Sequence, residues 1–260
     1  MRRQIAARAL QSLIVVIIVT TISFFVIRSA SGDPFSYDSP SVTPKIREQW
    51  RHQFGYDRPL VEQYMRYAAS VAHGQLGYSV SRHKPVSEAL AETVPNTLLL
   101  TGLSLLLSFS LAVVIGVVQA VKRDSWFDRI TSGILMFFYS LPDFWGALMV
   151  LLAFAYWLPI FPAGGMTDAM HDYMTGGTAA WDRITHLVLP VFAFALLQTA
   201  AYARYQRAAM LEVLPSDYIR TARAKGLTER EIIWRHALRT ALTPMITLLG
   251  LSLPALLGGA

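Results

Sequence analysis

The chain has 260 residues, of which 53% are hydrophobic and only 15% are charged, with a net charge of +6 and no cysteine. Soluble domains carry about 25% charged residues, and the mean hydropathy here is +0.39, so the composition describes a membrane protein. Without a thiol, disulfide frameworks and thiolate metal sites are excluded, while the positive balance leaves nucleic acid and lipid both open as partners.

A membrane-crossing helix needs about 20 largely apolar residues. Residues 9–27, "ALQSLIVVIIVTTISFFVI", form the first such run. Arg2, Arg3 and Arg8 precede it, as in a secretory signal. A signal's apolar core is about 7 to 15 residues, so this longer run is expected to be retained as a helix. The segment 28–96 is mixed in charge and rich in aromatics, and "GDPFSYDSPSVTP", 32–44, reads as an irregular loop. Residues 97–121 form a second span, and 130–158 a third, long enough to cross with tilt or a kink. Residues 184–203 form a weaker fourth span, and 241–260 a fifth. The chain ends at Ala260 inside an apolar run, and a sixth span is expected beyond it. The expected fold is therefore an all-α polytopic membrane protein. Its first part, 1–95, is a helix plus an external segment, and 96–260 is a transmembrane core.

Basic residues orient the spans. Arg2, Arg3 and Arg8 lie before the first, Lys122, Arg123 and Arg129 between the second and third, and eight basic residues in 204–240. The 159–183 loop holds only Arg183. The basic sides agree with one another across five spans, which puts the N-terminus and 204–240 in the cytoplasm. Residues 28–96 are also basic, but long loops cross largely regardless of charge.

Two features carry functional signal. Asp143 is the one acidic residue within an apolar run, and an intramembrane carboxylate is costly unless it faces protein or water. Pro142 before it removes a helix hydrogen bond and favours a kink. Ser140, Pro142 and Asp143 could thus line a solute path, with Asp143 attracting an amine or a cation. The alternative is a solvated Asp143 at the external end of a tilted helix. His186 and Arg204, at the ends of the fourth run, read as interfacial. Asp168 and His171 have i, i+3 spacing, but "MTDAMHDYMTGG" is glycine-rich, and no metal site is expected there. No nucleophile–base arrangement and no G-x-x-x-x-G-K-[ST] phosphate loop is present, so catalysis by this chain is not expected.

The second feature is "PSDYIRTARAKGLTEREIIWRHALRTAL", from Pro215. Pro215 blocks helix continuation, Ser216 or Asp217 can cap a new helix, and Gly226 fits a C′ position needing positive φ. Thr228 and Glu231 have the spacing of a capping box. Beyond them Ile232, Ile233, Ala237 and Leu238 fall mostly on one face. A helix-turn-helix reader of DNA, a solvated basic loop on lipid and a stiff docking element all fit parts of this pattern. The DNA reading needs base-reading side chains on an exposed second helix, whereas here that helix runs into a span.

"DYIRTARAKGLTEREIIWRHALRTALTPMITLLG" resembles the cytoplasmic signature loop of bacterial ABC-importer permeases, in the form of the dipeptide and oligopeptide branch, which also includes nickel importers. Gly226 matches the family glycine. Arg220, Thr221 and Ala222 stand at its Glu-Ala-Ala positions, with only Ala222 agreeing. His236 to Arg239 stand at Ile-x-Leu-Pro, with only Leu238 agreeing. Residues 54–100 resemble the branch's external segment, with Gly74, Gln75, Leu76 and Gly77 where Gly-Asp-Leu-Gly is usual, and 189–227 resemble it too. The resemblance implies a type I importer permease. Such a permease pairs with a second one in the lipid bilayer of the inner membrane. Two ABC ATPase subunits holding ATP and magnesium bind below, and an external binding protein delivers di- or oligopeptides. Nickel or another small solute is the alternative cargo, and nucleic acid is no partner. The coupling helix would be 216–227, carrying Asp217, Arg220, Thr221, Ala222, Arg223, Ala224, Lys225 and Gly226. An ion-driven secondary transporter is a further alternative, but no internal repeat is visible.

Overall fold

The structure, a computed structural model, describes residues 2–29, 45, 48–49, 52, 55–79, 81–82 and 84–254. The expected loop 32–44 lies wholly outside them. The chain divides into two units, Met1–Thr93 and Val94–Ala260.

In the first unit, α1 (Arg2–Ser29) is apolar on every side, and Leu13, Ile14, Val15, Val16 and Ile17 are all exposed. A helix apolar all round has lipid or a core as its solvent. α2 (Leu60–Ala72) starts after Pro59, whose fixed φ suits a helix entry. A short antiparallel hairpin follows, β1 (Tyr78–Ser79) with β2 (Lys84–Pro85), Tyr78 opposite Pro85. Lys84 pairs with Glu92, which ties the hairpin to the first turns of α3 (Val86–Val121). That helix continues into the second unit.

The second unit is built on α3 and α6 (Gly177–Val213). Their crossing is made of small residues: Ala112, Ala200 and Ala203 are fully buried. A Cβ added at Gly116 would meet Gln206 Cβ at 2.7 Å, the Ala203 carbonyl at 2.8 Å and the Arg207 nitrogen at 2.9 Å. Apolar burial cannot hold helices together in lipid, so close backbone approach through small residues does so. Thr199 Oγ1, bonded within α6 to the Ala195 carbonyl at 2.6 Å, also donates across to the Ser108 carbonyl of α3 at 3.4 Å.

The third expected span is two helices. α4 (Trp126–Ser140) and α5 (Asp143–Leu151), the latter extended by a π-helical stretch Leu152–Trp157, meet at 106°. The cause is local: Leu141 precedes a proline, and the clash with the proline ring pushes it to extended φ −77°, ψ 139°. α1, α3 and α6 are each long and apolar enough to cross a membrane, and the broken pair makes a fourth if counted as one. The fifth expected span is helical over α8 (Leu238–Ser252), 15 residues. Residues 255–260 lie outside those described.

One sequence expectation is corrected by the helix bounds. Helices outrun the apolar stretches that announce them. Because α4 begins at Trp126 and α6 at Gly177, Asp128 and Asp182 also lie within these helices, and both are buried. Asp143 remains the one acidic residue within the apolar runs themselves, and unlike Asp128 and Asp182 it is exposed. His186 is not at a helix end. It sits more than two turns inside α6 and is 9% exposed.

Candidate functional site

α7 (Asp217–Ala224) begins after Ser216. The Ser216 side chain does not cap it; its hydroxyl donates backwards to the Val213 carbonyl at 2.6 Å. At the other end, Gly226 has φ 79°. Its N–H donates to the Arg223 carbonyl at 2.9 Å, and the Leu227 N–H donates to the Ala222 carbonyl at 3.4 Å. These are the two reverse bonds of a Schellman ending, which satisfy the last helical carbonyls and need a residue in the left-handed region.

The chain re-enters a helix at once. Thr228 Oγ1 accepts from the Glu231 N–H at 3.3 Å, and Glu231 Oε2 accepts from the Thr228 N–H at 3.1 Å. This is the reciprocal capping box expected from the residue spacing. Across the turn, Arg223 Nε donates to Glu229 Oε1 at 2.7 Å and its Nη2 to Oε2 at 3.3 Å, a forked clasp between the two helices. The Arg223 hydrogen bond holds the Glu229 carboxyl below the usual range and raises Arg223 in return. Thr228, by its hydroxyl and its backbone, does the same for Glu231.

The segment is anchored as well as folded. Ile219, Ile232 and Ala237 have no exposed surface, and they pack with Val117, Ala120 and Met210 at the ends of α3 and α6. After the turn Glu229–Glu231 the helix widens into a π-helical stretch, Ile232–Ala237, before α8. Ile232 and Ala237 are five apart, which an α-helix would splay by about 140°. The i→i+5 bonding of a π-turn brings such a pair into line.

The expected site residues divide accordingly. Asp217, Arg220, Thr221, Ala224 and Lys225 are exposed on α7 and its end, and Arg223 is engaged with Glu229. Ala222 points inward at 7% exposure, so it serves the anchor rather than the surface. Ile219, fully buried beside it, was missed by sequence reasoning, although its i, i+3 spacing to Ala222 marks the inner face.

Ser140, Pro142 and Asp143 lie at the break between α4 and α5 and are exposed. Asp143 is the first residue of α5, where the helix dipole favours a carboxylate. An apolar cavity of about 580 Å³ is lined by Phe144, Leu148, Gly165, His186, Leu189 and Ala193 among others; the three residues of the break are not part of its wall. A second cavity of about 430 Å³, of mixed lining, has Gln119, Ser132, Arg204 and Arg207 in its wall beside Leu135 and Met136. Arg207 forks onto the buried Asp128, Nε to Oδ1 at 2.9 Å and Nη2 to Oδ2 at 2.8 Å. Arg204 lies over the Tyr139 ring, 4.6 Å from its centre. These partners are 79 and 65 residues apart, and nothing local in the sequence announces them.

Asp168 and His171 do come together, around Asp182. The Asp168 N–H donates to both oxygens of Asp182, at 3.2 and 3.1 Å. His171 Nδ1 lies 2.6 Å from Asp182 Oδ2, and His186 Nδ1 donates to the Asp182 carbonyl at 2.8 Å. The group pins the loop before α6 to that helix. Among the described residues no group of three or more acidic or histidine side chains is arranged to hold a metal.

Comparison with known proteins decides the family. The model of the binding-protein-dependent transport system inner membrane component matches residues 112–260, and the model of its N-terminal part matches 1–101. The chain belongs to this family. It is an inner-membrane permease component of a binding-protein-dependent transport system, and not an enzyme. It is 35% identical over its full length to the oligopeptide transport system permease protein AppB of Bacillus subtilis, of which it covers 81%. Similarity to the di/tripeptide transport system permease protein DppB of Pseudomonas aeruginosa is 35% over 93% of this chain and 76% of that protein. For the dipeptide permease DppB of Escherichia coli K12 the figures are 34%, 93% and 77%.

Proposed function

We propose that this permease pairs with a second, homologous one to form the membrane path for di- or oligopeptides delivered by an external binding protein. Two ABC ATPase subunits drive it from the cytoplasmic side, and ATP and magnesium are held there. The segment 216–227 is the coupling helix. The observation that carries this reading is the build of that segment: closed at Gly226 by a Schellman turn, clasped by Arg223 and Glu229, and anchored by Ile219 in the permease core. A mechanical link must transmit motion without bending, and an unanchored loop would absorb it. The exposed Asp217, Arg220, Thr221 and Lys225 are the surface offered to the ATPase, where charge gives register and encounter rate more than affinity.

A cytoplasmic N-terminus is supported by Arg2, Arg3 and Arg8, which under the positive-inside rule belong with the basic segment 204–240. The three relatives are oligopeptide, di/tripeptide and dipeptide permeases, which supports peptide as cargo. Ser140, Pro142 and Asp143, at the 106° break, are assigned to the path, with Asp143 offering a carboxylate to a peptide amine. Uptake of labelled di- and tripeptides by cells lacking this chain tests the cargo. Peptide uptake should fall to background and nickel uptake should not. Loss of nickel uptake alone would replace peptide with the alternative cargo.

A further inference from the structure

We infer that α2 is an interfacial helix, seated in the bilayer surface at the C-terminal end of α1 with Val61 and Met65 in the acyl boundary. The first observation is depth. α1 stays apolar and outward-facing to its end: Val26 is 62% exposed and Ile27 71%. Arg28, in its last turn, stacks on the Tyr56 ring at 3.5 Å, the pairing of a cation with an aromatic that marks a membrane–water boundary. α2 is joined to α1 below that level. Phe24 stacks on Tyr67 with ring centres 5.2 Å apart, and Phe25 on Tyr64 at 5.4 Å. Tyr64 is also within 2.7 Å of Thr21 Oγ1. Thr21 is seven residues before Arg28, about 10 Å along the helix at 1.5 Å per residue. Amphipathic helices that lie on membranes bury their apolar face about 5 to 10 Å into this boundary.

The second observation is the faces of α2. Tyr64, half-buried, and Tyr67 turn to α1, where they stack on Phe25 and Phe24, whereas Val61 at 68% and Met65 at 64% are exposed one turn apart on a flank. The third side, turned away from α1, carries Glu62, paired with both Arg58 and Arg66. A helix that is apolar on two sides and charged on the third, beside a lipid-facing span, is built for the boundary between lipid and water. The Tyr64 hydroxyl supports the same depth. Thr21 gives its own proton to the Ile17 carbonyl at 2.7 Å, so Tyr64 donates to Thr21, a partner found within the protein rather than in water.

The chain has no cysteine, so single labelling sites are easily placed. Val61→Cys, Met65→Cys, Glu62→Cys and Arg66→Cys, each spin-labelled in the full chain, would be measured in nanodiscs of phosphatidylethanolamine and phosphatidylglycerol. Collision with oxygen, which partitions into lipid, is compared with collision with a water-soluble nickel chelate. The ratio should be roughly threefold or more higher at 61 and 65 than at 62 and 66, as the lipid boundary requires. Equal ratios at all four sites would put α2 in water and overturn the inference. Low collision with both probes at 61 and 65 would also overturn it, because protein would then cover that flank.

Discussion

Gly226 allows a calculation with few free terms. It has φ 79°, and a Cβ added there would meet nothing within 4 Å. Crowding therefore contributes nothing, and the cost of a side chain is the backbone conformation alone. For alanine the left-handed region costs roughly 1 to 2 kcal/mol. Asparagine tolerates it better, and a β-branched residue tolerates it worst. Gly226→Ala should therefore raise opening of the turn about 5- to 30-fold. Gly226→Asn should raise it less and Gly226→Val more. Hydrogen–deuterium exchange of peptides covering 217–232 in nanodiscs reads this directly, with α3 as the internal standard. The same order should appear in solute-stimulated ATP hydrolysis if the turn transmits force. An alanine variant exchanging like the wild type, or an asparagine variant as damaged as valine, would refute the argument from φ.

Three other outcomes are expected. Gly116→Leu should lower thermal stability by at least 1 to 3 kcal/mol, the usual cost of overpacking, because three atoms, two of them backbone, already lie under 3.0 Å from a Cβ there; an unchanged melting temperature would show that α3 and α6 can part freely. Arg207→Met should cost about 3 kcal/mol by leaving Asp128 buried and unpaired, and adding Asp128→Leu should recover most of it, as read by a double-mutant cycle in thermal unfolding. The last concerns pH. Glu229 and Glu231 titrate lower in the folded segment than in the unfolded chain. The stability they add is then complete above the ordinary carboxylate range and is lost as pH falls through their folded values. Exchange protection of 217–232, corrected for intrinsic rates, should be flat between about pH 6 and 8 and weaken only below the ordinary glutamate value of 4.5; loss of protection already at neutral pH would contradict the clasp and the capping box.

What could be read from the sequence was local. Thr228 and Glu231 are three apart, and Gly226 ends a helix by its own conformational freedom, so neighbours suffice to recognise them. Spans could be found because lipid imposes a length on apolar runs, but their ends could not. α6 starts at Gly177, where polar residues are already helical, so Asp182 fell outside the expected span and His186 was put at its end. The bend at Leu141 was half legible: a proline announces an interruption, whereas 106° depends on what α5 packs against, and Gly146 comes to rest on Leu197 of α6. Period-based reading assumes 3.6 residues per turn, so the π-helical stretch at Ile232–Ala237 was invisible to it. Gly116 reads as one small residue in an apolar run until α6 is laid across it. The Arg207–Asp128 pair joins residues no window of sequence contains together.

The central claim is that 216–227 meets an ATPase. A photo-crosslinking residue placed at Arg220 or Thr221, both exposed on α7, in the native host, followed by mild-detergent purification and mass spectrometry, tests it most directly. The account predicts crosslinks to a subunit carrying a G-x-x-x-x-G-K-[ST] phosphate loop. A second permease should come along in the purified complex. If those positions crosslink only to lipid, and the chain purifies without any such ATPase, the segment is a basic loop on the membrane and the coupling account is wrong.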